Sequence, residues 1–146
     1  MKKIMLATIL CIVVITNSFP QSASYKIGDL GPGGGIIFAI EGPYHYEVSR
    51  ILGTLTWYEA DNVAKNYRGG NLSDWYLPTL AELALVYDNL VVAGIINMGS
   101  TWYWSSTPYA RSDTWSYRKN MGNGEEEPCG KGVNGGARAI RMFIVQ

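Results

Sequence analysis

The sequence predicts a loop-rich α+β fold with two short helices and several short strands. Composition is the first indication: the 146 residues include 17 Gly, ten Tyr and five Trp, which is typical of a loop-rich domain packed around large rings rather than of a helical bundle. The second is a pair of helix-start signals, and the third is a series of short segments rich in β-branched and aromatic residues.

Length and charge restrict the class of protein further. A chain of 146 residues suits a single domain. With 47% apolar and only 16% charged residues, it is expected to fold around a packed core rather than remain disordered. The formal net charge is zero, so the chain lacks the basic footprint of a nucleic-acid-binding protein.

Residues 1–24 are predicted to be a secretory signal peptide. Lys2 and Lys3 form a basic start, an apolar run follows over residues 4–15, and small polar residues come next. The apolar run is shorter than the ~20 residues that span a bilayer, which favours cleavage over the alternative, an uncleaved membrane anchor. Residues 25–146 would then be one exported domain without membrane insertion, located in the periplasm, at the cell surface or outside the cell.

Cleavage changes the charge and the cysteine count of the domain. Loss of Lys2 and Lys3 leaves ten basic and twelve acidic residues, a net charge of −2. Cys129 becomes the only cysteine, so no internal disulfide can form. Stability is therefore expected to come from the hydrophobic core.

The glycine-rich segment 31–35 predicts a turn that leads into a core strand at residues 36–40. A phosphate-binding loop would run into a helix N-terminus, and no Gly-Lys-Ser/Thr follows here. Further strands are predicted at 46–51, 103–106, 113–118 and 137–143. In the last of these, alternation places Ala139, Arg141 and Phe143 on one face and Ile140 and Met142 on the other. The segment 122–136, with six glycines and three consecutive glutamates, is predicted to be an exposed loop.

Two helices are predicted from capping boxes. Thr56 and Glu59 form the first box, and Gly69 and Gly70 end the helix that follows it. Thr79 and Glu82 form the second box, at the start of the second helix. Apolar residues at helical spacing follow each box: Trp57, Ala60, Ala64 and Tyr67, and then Leu80, Leu83, Ala84, Tyr87 and Leu90.

An ordered set of motifs over residues 25–146 resembles the bacterial Lcl (Legionella collagen-like) C-terminal domain family. The set is Ile36-Ile37-Phe38 after the glycine-rich opening, Trp57 with Ala60, Asp74-Trp75-Tyr76-Leu77-Pro78 before Glu82-Leu83, Tyr103-Trp104-Ser105-Ser106, Trp115, and Ala139-Ile140-Arg141-Met142-Phe143. That family is regarded as C-type-lectin-like and distantly similar to the formylglycine-generating group. The resemblance implies a C-type-lectin-like fold, in which two short helices flank a small antiparallel sheet and the rest of the chain forms a long loop region. Its first and last strands, 36–40 and 139–143, would pair and bring the ends together.

Two chemistries associated with this fold are not supported by the residues. The calcium-dependent sugar site uses Glu/Gln-Pro-Asn/Asp and Trp-Asn-Asp, and neither stands in this sequence; Glu127-Pro128-Cys129 lacks the third oxygen ligand. Calcium binding by Glu125, Glu126 and Glu127 is chemically conceivable, but a solvated acidic loop is the favoured interpretation. Copper-dependent oxidase chemistry needs paired cysteines, and only Cys129 is available.

The few candidate catalytic residues in the sequence predict a protein that is not an enzyme and has no cofactor or metal. His45 is the only histidine and is interpreted as a surface or packing residue. No Gly-x-Ser-x-Gly elbow and no zinc-spaced His/Cys cluster is present. Glu59 and Glu82 are explained by helix capping.

A ligand-binding module is better supported by the aromatic content of the C-terminal half. Residues 102–119 contain three Trp, three Tyr, two Arg and a Lys within eighteen positions, the residue types that dominate interface hot spots. Trp104 and Trp115 are predicted to belong to the core. The predicted exposed contacts are Tyr109, Arg111, Asp113, Tyr117 and Lys119.

The sequence therefore predicts an exported, non-enzymatic ligand-binding or adhesion module that recognises a protein or a glycan. One alternative is a structural or assembly subunit of the cell envelope. A further variant is a receptor diversified over residues 103–138.

Overall fold

The computed structural model describes residues 24–146, so the predicted signal peptide lies outside the described residues except for Ser24. The elements are β1 Ile36–Glu41, β2 Tyr44–Val48, β3 Gly53–Leu55, α1 Trp57–Asn66, α2 Leu80–Val86, β4 Trp102–Pro108, β5 Trp115–Asn120, β6 Glu126–Gly130, β7 Gly135–Ala137 and β8 Ile140–Ile144. A π-helical segment, Tyr87–Val92, extends α2. None of the helices in residues 24–146 combines the length and the hydropathy that a membrane span requires.

Both predicted capping boxes are present at the helix N-termini. At α1 the Glu59 amide donates to Thr56 Oγ1 at 3.4 Å, and the Thr56 amide donates to Glu59 Oε2 at 2.9 Å. At α2 the corresponding distances between Thr79 and Glu82 are 3.2 and 2.7 Å. Each box satisfies amides that a first helical turn leaves without partners, so both helix starts are confirmed.

The first sheet has the strand order β1-β2-β8 and corrects one expectation about the termini. The first and last strands do not pair directly, because β2 lies between them and pairs antiparallel with both. The reason is local: Gly42, with φ of 60°, and Pro43 form a tight turn that folds β2 back onto β1. The two ends of the described chain nevertheless meet, since Ser24, Tyr25, Val145 and Gln146 line one hollow.

The second sheet has the order β3-β7-β4-β5-β6 and overturns the prediction of a loop at 122–136. Both β6 and most of β7 lie within that segment. The strand forms because the acidic side chains find partners on β5: Arg118 donates to Glu127 at 2.9 Å and Lys119 to Glu126 at 2.8 Å. These cross-strand pairs replace the solvation that an acidic loop would keep.

Two hydrophobic clusters form the core on opposite sides of β4. The first core cluster includes Phe38, Leu83, Leu90 and Tyr103 and lies against α2. The second includes Ala60, Trp75, Leu77 and Trp104 and lies against α1. Alternation along β4 directs Tyr103 and the neighbouring Trp104 to the two different clusters. The predicted α+β class, with small sheets and two short helices, is thus confirmed.

Candidate functional site

An aromatic group lies where the β4–β5 hairpin projects from the second sheet. The Tyr109 and Trp115 rings are 6.2 Å apart between centroids, and the Tyr109 and Tyr117 rings meet edge to face at 5.8 Å. The turn is held by its own backbone, since the Ser112 amide donates to the Tyr109 carbonyl at 3.1 Å. Tyr109 and Tyr117 were predicted to be exposed, but both are half-buried. We call Tyr109, Arg111, Asp113, Trp115 and Tyr117 the hairpin surface.

Trp115 is the largest ring of the hairpin surface and was wrongly assigned to the core. Its side chain is 42% exposed, whereas Trp104 is fully buried, as predicted, and donates from Nε1 to the Leu55 carbonyl at 3.0 Å. Trp115 is the first residue of β5 and lies opposite Gly130, the last residue of β6. Because the sheet ends there, no further element covers the ring.

Arg111 and Asp113 are exposed in the hairpin turn, as predicted. Among residues 24–146 neither side chain takes part in an ion pair within 4.0 Å. The Asp113 carbonyl accepts a hydrogen bond from Lys131 Nζ at 2.8 Å, which fixes the backbone and leaves the carboxylate in solvent. Both charged groups are therefore available to a ligand beside the rings.

Lys119 does not belong to the hairpin surface, which corrects its predicted role as an exposed contact. It is only 5% exposed. Its Nζ donates to Glu126 at 2.8 Å and to the Gly124 carbonyl at 2.9 Å, and lies 5.2 Å from the centre of the Tyr87 ring. Pairing between β5 and β6 places Lys119 directly opposite Glu126, so its charge is used inside the fold.

A second aromatic group, which no pattern in the sequence indicates, adjoins the hairpin. Lys131 Nζ lies 4.1 Å from the centre of the Trp57 ring and 5.9 Å from that of Tyr58, which is 56% exposed. Lys131 also donates its amide to the Thr114 carbonyl at 2.8 Å. No sequence signal joins these residues, because Trp57 begins a helix and Lys131 follows a strand far along the chain.

The glycine-rich segment binds a carboxylate of the protein itself. The amides of Gly33 and Gly35 donate to the Glu47 carboxylate at 2.9 and 2.8 Å, and Arg141 approaches the same carboxylate at 2.7 Å. A Cβ at Gly33 would lie 2.4 Å from the Trp75 ring, so this position has no room for a side chain. The two amides and Arg141 form an anion-binding site, and the carboxylate of Glu47 occupies it.

Arg141 extends this network to the surface. Its Nε donates to one Asp74 oxygen at 2.7 Å and its NH2 group to the other at 2.9 Å. These hydrogen bonds hold the pKa of the Asp74 carboxyl below its usual value. Because each charged group of the network is paired with an opposite charge, we regard the network as structural and not as a ligand site.

His45 and the acidic triplet show no arrangement for chemistry among the described residues. His45 packs between Tyr25 and Phe143, with ring centroids 5.9 and 5.6 Å away, in agreement with a packing role. Of the three glutamates only Glu125 is free of an ion pair within residues 24–146. In the same part of the chain no cluster of three or more His, Cys, Asp or Glu side chains could hold a metal ion.

No family model and no curated protein matches this chain. Among solved structures, the C-type lectin CEL-I from Cucumaria echinata is 14% identical with a TM-score of 0.42, over 72% of this chain and 94% of the lectin. The EPNH mutant of CEL-I is 12% identical with a TM-score of 0.43, over 73% and 94%.

Proposed function

We propose that the domain is a non-enzymatic ligand-binding module that recognises a protein or a glycan through the hairpin surface. The observation that carries the proposal is Trp115: a large ring, 42% exposed, that clusters with two tyrosines beside an exposed arginine and an exposed aspartate. Export through residues 1–24 and membership of the Lcl C-terminal domain family belong to the same proposal, and the ordered motifs and the N-terminal pattern support them.

The composition of the hairpin surface suits recognition. Trp, Tyr and Arg are the residues most enriched in interface hot spots, because their rings and guanidinium groups bury large areas with few rotatable bonds. Aromatic rings also stack on the apolar faces of sugars. Tyr109 and Tyr117 hold each other edge to face, so the rings lose little freedom when a ligand covers them.

The first experiment identifies a ligand and then removes the rings. The purified protein is applied to a glycan array and to an array of host surface proteins, with and without calcium. For any ligand found, the combined Tyr109→Ala, Trp115→Ala and Tyr117→Ala variant should lower affinity at least thirtyfold, about 2 kcal/mol or more for a hot-spot cluster. Affinity is measured by calorimetry.

A matched control separates recognition from folding. Leu30→Ala removes another exposed apolar side chain, 70% exposed, far from the hairpin in the chain, and should leave affinity unchanged. Both variants should retain the circular dichroism spectrum of the wild type. A folded triple variant that binds as tightly as the wild type would refute the hairpin surface as the site.

The second candidate, a structural subunit of the cell envelope, is favoured by one observation. The outer strand of the first sheet exposes Met142 and Ile144, 37% and 59%, which could contact further subunits. The two candidates differ in solution, because a binding module should elute as a small species. Elution only as large assemblies would favour the structural candidate.

A further inference from the structure

One face of the first sheet carries tyrosine and apolar side chains in two neighbouring rows. Residues paired across antiparallel strands point to the same face, and so do residues two apart along one strand. Tyr46 pairs with Met142, and Tyr44 pairs with Ile144, so the four side chains form a block on one face. Tyr44, Met142 and Ile144 are 43%, 37% and 59% exposed, which leaves the block open to solvent.

A third tyrosine adjoins this block from the outer side of β8. Tyr76 forms reciprocal 2.9 Å backbone hydrogen bonds with Ile140. Tyr76, Tyr46 and Ile140 all pack in or against the first core cluster, so they lie on the same side of the sheet. We call Tyr44, Tyr46, Tyr76, Met142 and Ile144 the tyrosine face.

Two carboxylates, those of Glu41 and Glu82, flank the tyrosine face. Glu41 of β1 pairs with Tyr44 of β2, so the two side chains share that face of the sheet. Glu82 of α2 accepts a hydrogen bond at Oε1 from the Tyr76 phenol at 2.8 Å. Within residues 24–146 neither glutamate forms an ion pair within 4.0 Å. Burial raises the pKa of Tyr46, and the two carboxylates raise it further, so the tyrosine face lies in a negative field.

These features select the kind of group that can occupy the tyrosine face. Aromatic ring faces attract cations, and the two carboxylates add to the attraction. The exposed Met142 and Ile144 side chains favour a cation that carries apolar surface over a hydrated metal ion. Both Glu82 oxygens already accept hydrogen bonds, since Oε2 accepts from the Thr79 amide at 2.7 Å. Glu82 therefore supplies negative charge without requiring an N–H donor from the ligand.

We propose that the tyrosine face binds a quaternary ammonium group, of the kind that choline carries. Such a group has a positive charge and an apolar methyl surface, but no N–H. Its charge faces the Tyr44 ring and the two carboxylates, and its methyl groups contact Met142 and Ile144. The tyrosine face lies on the first sheet and the hairpin surface at the end of the second, so the two sites are separate.

Calorimetry at low ionic strength tests the class of ligand with three probes. Choline should bind, whereas dimethylbutanol, in which a carbon atom replaces the choline nitrogen, should bind at least about tenfold more weakly. Ethanolamine, whose primary ammonium is more strongly hydrated, should also bind more weakly than choline. A wild type that does not bind choline, or that binds either of the other probes as tightly, would overturn the proposal.

Two substitutions with matched controls test the position of the site. Tyr44→Ala should weaken choline binding about tenfold, while Tyr58→Ala, at a 56% exposed tyrosine outside the tyrosine face, should not change it. Glu41→Gln should weaken binding about threefold, while Glu125→Gln, at an exposed glutamate before β6, should not. All four variants should keep the circular dichroism spectrum of the wild type. A folded Tyr44→Ala protein with wild-type affinity would refute the site.

Amide chemical shifts recorded during a choline titration separate this site from the hairpin surface. The shifts of Tyr44, Tyr46 and Met142 should change. Changes confined to residues 109–117 would place choline at the hairpin surface and overturn the tyrosine face as its site. Ligand binding by the hairpin surface is measured with different probes and variants, so either proposal can fail while the other stands.

Discussion

At the scale of single residues, the most consequential side chain is Glu47. It is fully buried, and its charge is balanced by two loop amides and by Arg141. A buried carboxylate is tolerated only when its oxygens are paired, because the cost of removing it from water is otherwise several kcal/mol. The glycine-rich loop, the first sheet and Arg141 are thus held together by one carboxylate.

Glu47→Gln should therefore destabilise the protein by about 1–3 kcal/mol, because the uncharged amide weakens the buried hydrogen bonds from the two loop amides and from Arg141, while Arg141 keeps its pair with Asp74. Urea unfolding at neutral pH measures the change. The comparison variant is Asp74→Asn, which removes the other carboxylate of the network. The Asp74 side chain is 52% exposed, so solvent screens its interaction and the loss should be below about 1 kcal/mol. Equal losses in the two variants would contradict this ranking.

Residue roles were predictable from sequence where their causes are local. Thr56 with Glu59 and Thr79 with Glu82 lie three residues apart, so the capping boxes are visible in the chain. Glu47 and Arg141 are 94 residues apart, and no local pattern connects them. Trp115 and Lys119 were misassigned for a related reason, since alternation shows which residues share a strand face but not what covers them.

At the scale of elements, β7 shows why glycines occur in the middle of the second sheet. A Cβ on Gly136 would lie 2.8 Å from the Tyr103 ring, to which β7 is joined by parallel pairing. Real Cβ atoms do not approach other atoms so closely, and the ring is packed in the first core cluster. Small residues are thus needed for β4 and β7 to lie side by side.

Gly136→Ala should lower the free energy of unfolding by about 1–3 kcal/mol, as overpacking of a tight core does. Gly132→Ala is the matched control, because its Cβ would meet no atom within 4 Å. That control should change stability by less than about 0.5 kcal/mol. Denaturant unfolding measures the loss of stability in the two variants. A loss of the same size in both would mean that Gly136 acts through backbone flexibility instead.

The strands were predictable in part. The apolar run of β1 and the aromatic run of β4 identify themselves by composition, and both were placed correctly to within a few residues. The strand β6 was not predicted, because three glutamates and a proline oppose strand formation locally. Only pairing with Arg118 and Lys119 of β5 stabilises that strand, and this pairing depends on tertiary structure.

At the scale of the whole molecule, the two core clusters share their strands. Tyr103 enters the first cluster and Trp104 the second, although they are neighbours in β4. The same holds at β8: Ile140, its first residue, belongs to the first cluster, and Ala139, the residue before it, belongs to the second. The strand order could not be read from the sequence, since it depends on which edges meet, as the position of β2 between β1 and β8 shows.

Because the clusters share backbone, they should unfold in one cooperative transition. Leu83→Ala in the first cluster and Leu77→Ala in the second each empty a fully buried site and should cost about 2–5 kcal/mol. Three of the five tryptophans, Trp57, Trp75 and Trp104, lie in or against the second cluster, so tryptophan fluorescence reports mainly on it, while far-ultraviolet circular dichroism reports on both. The two signals should change together in both variants, with one midpoint. Separate midpoints in Leu83→Ala, with fluorescence changing later, would show that the clusters are independent, since only the α2 side would then have been weakened.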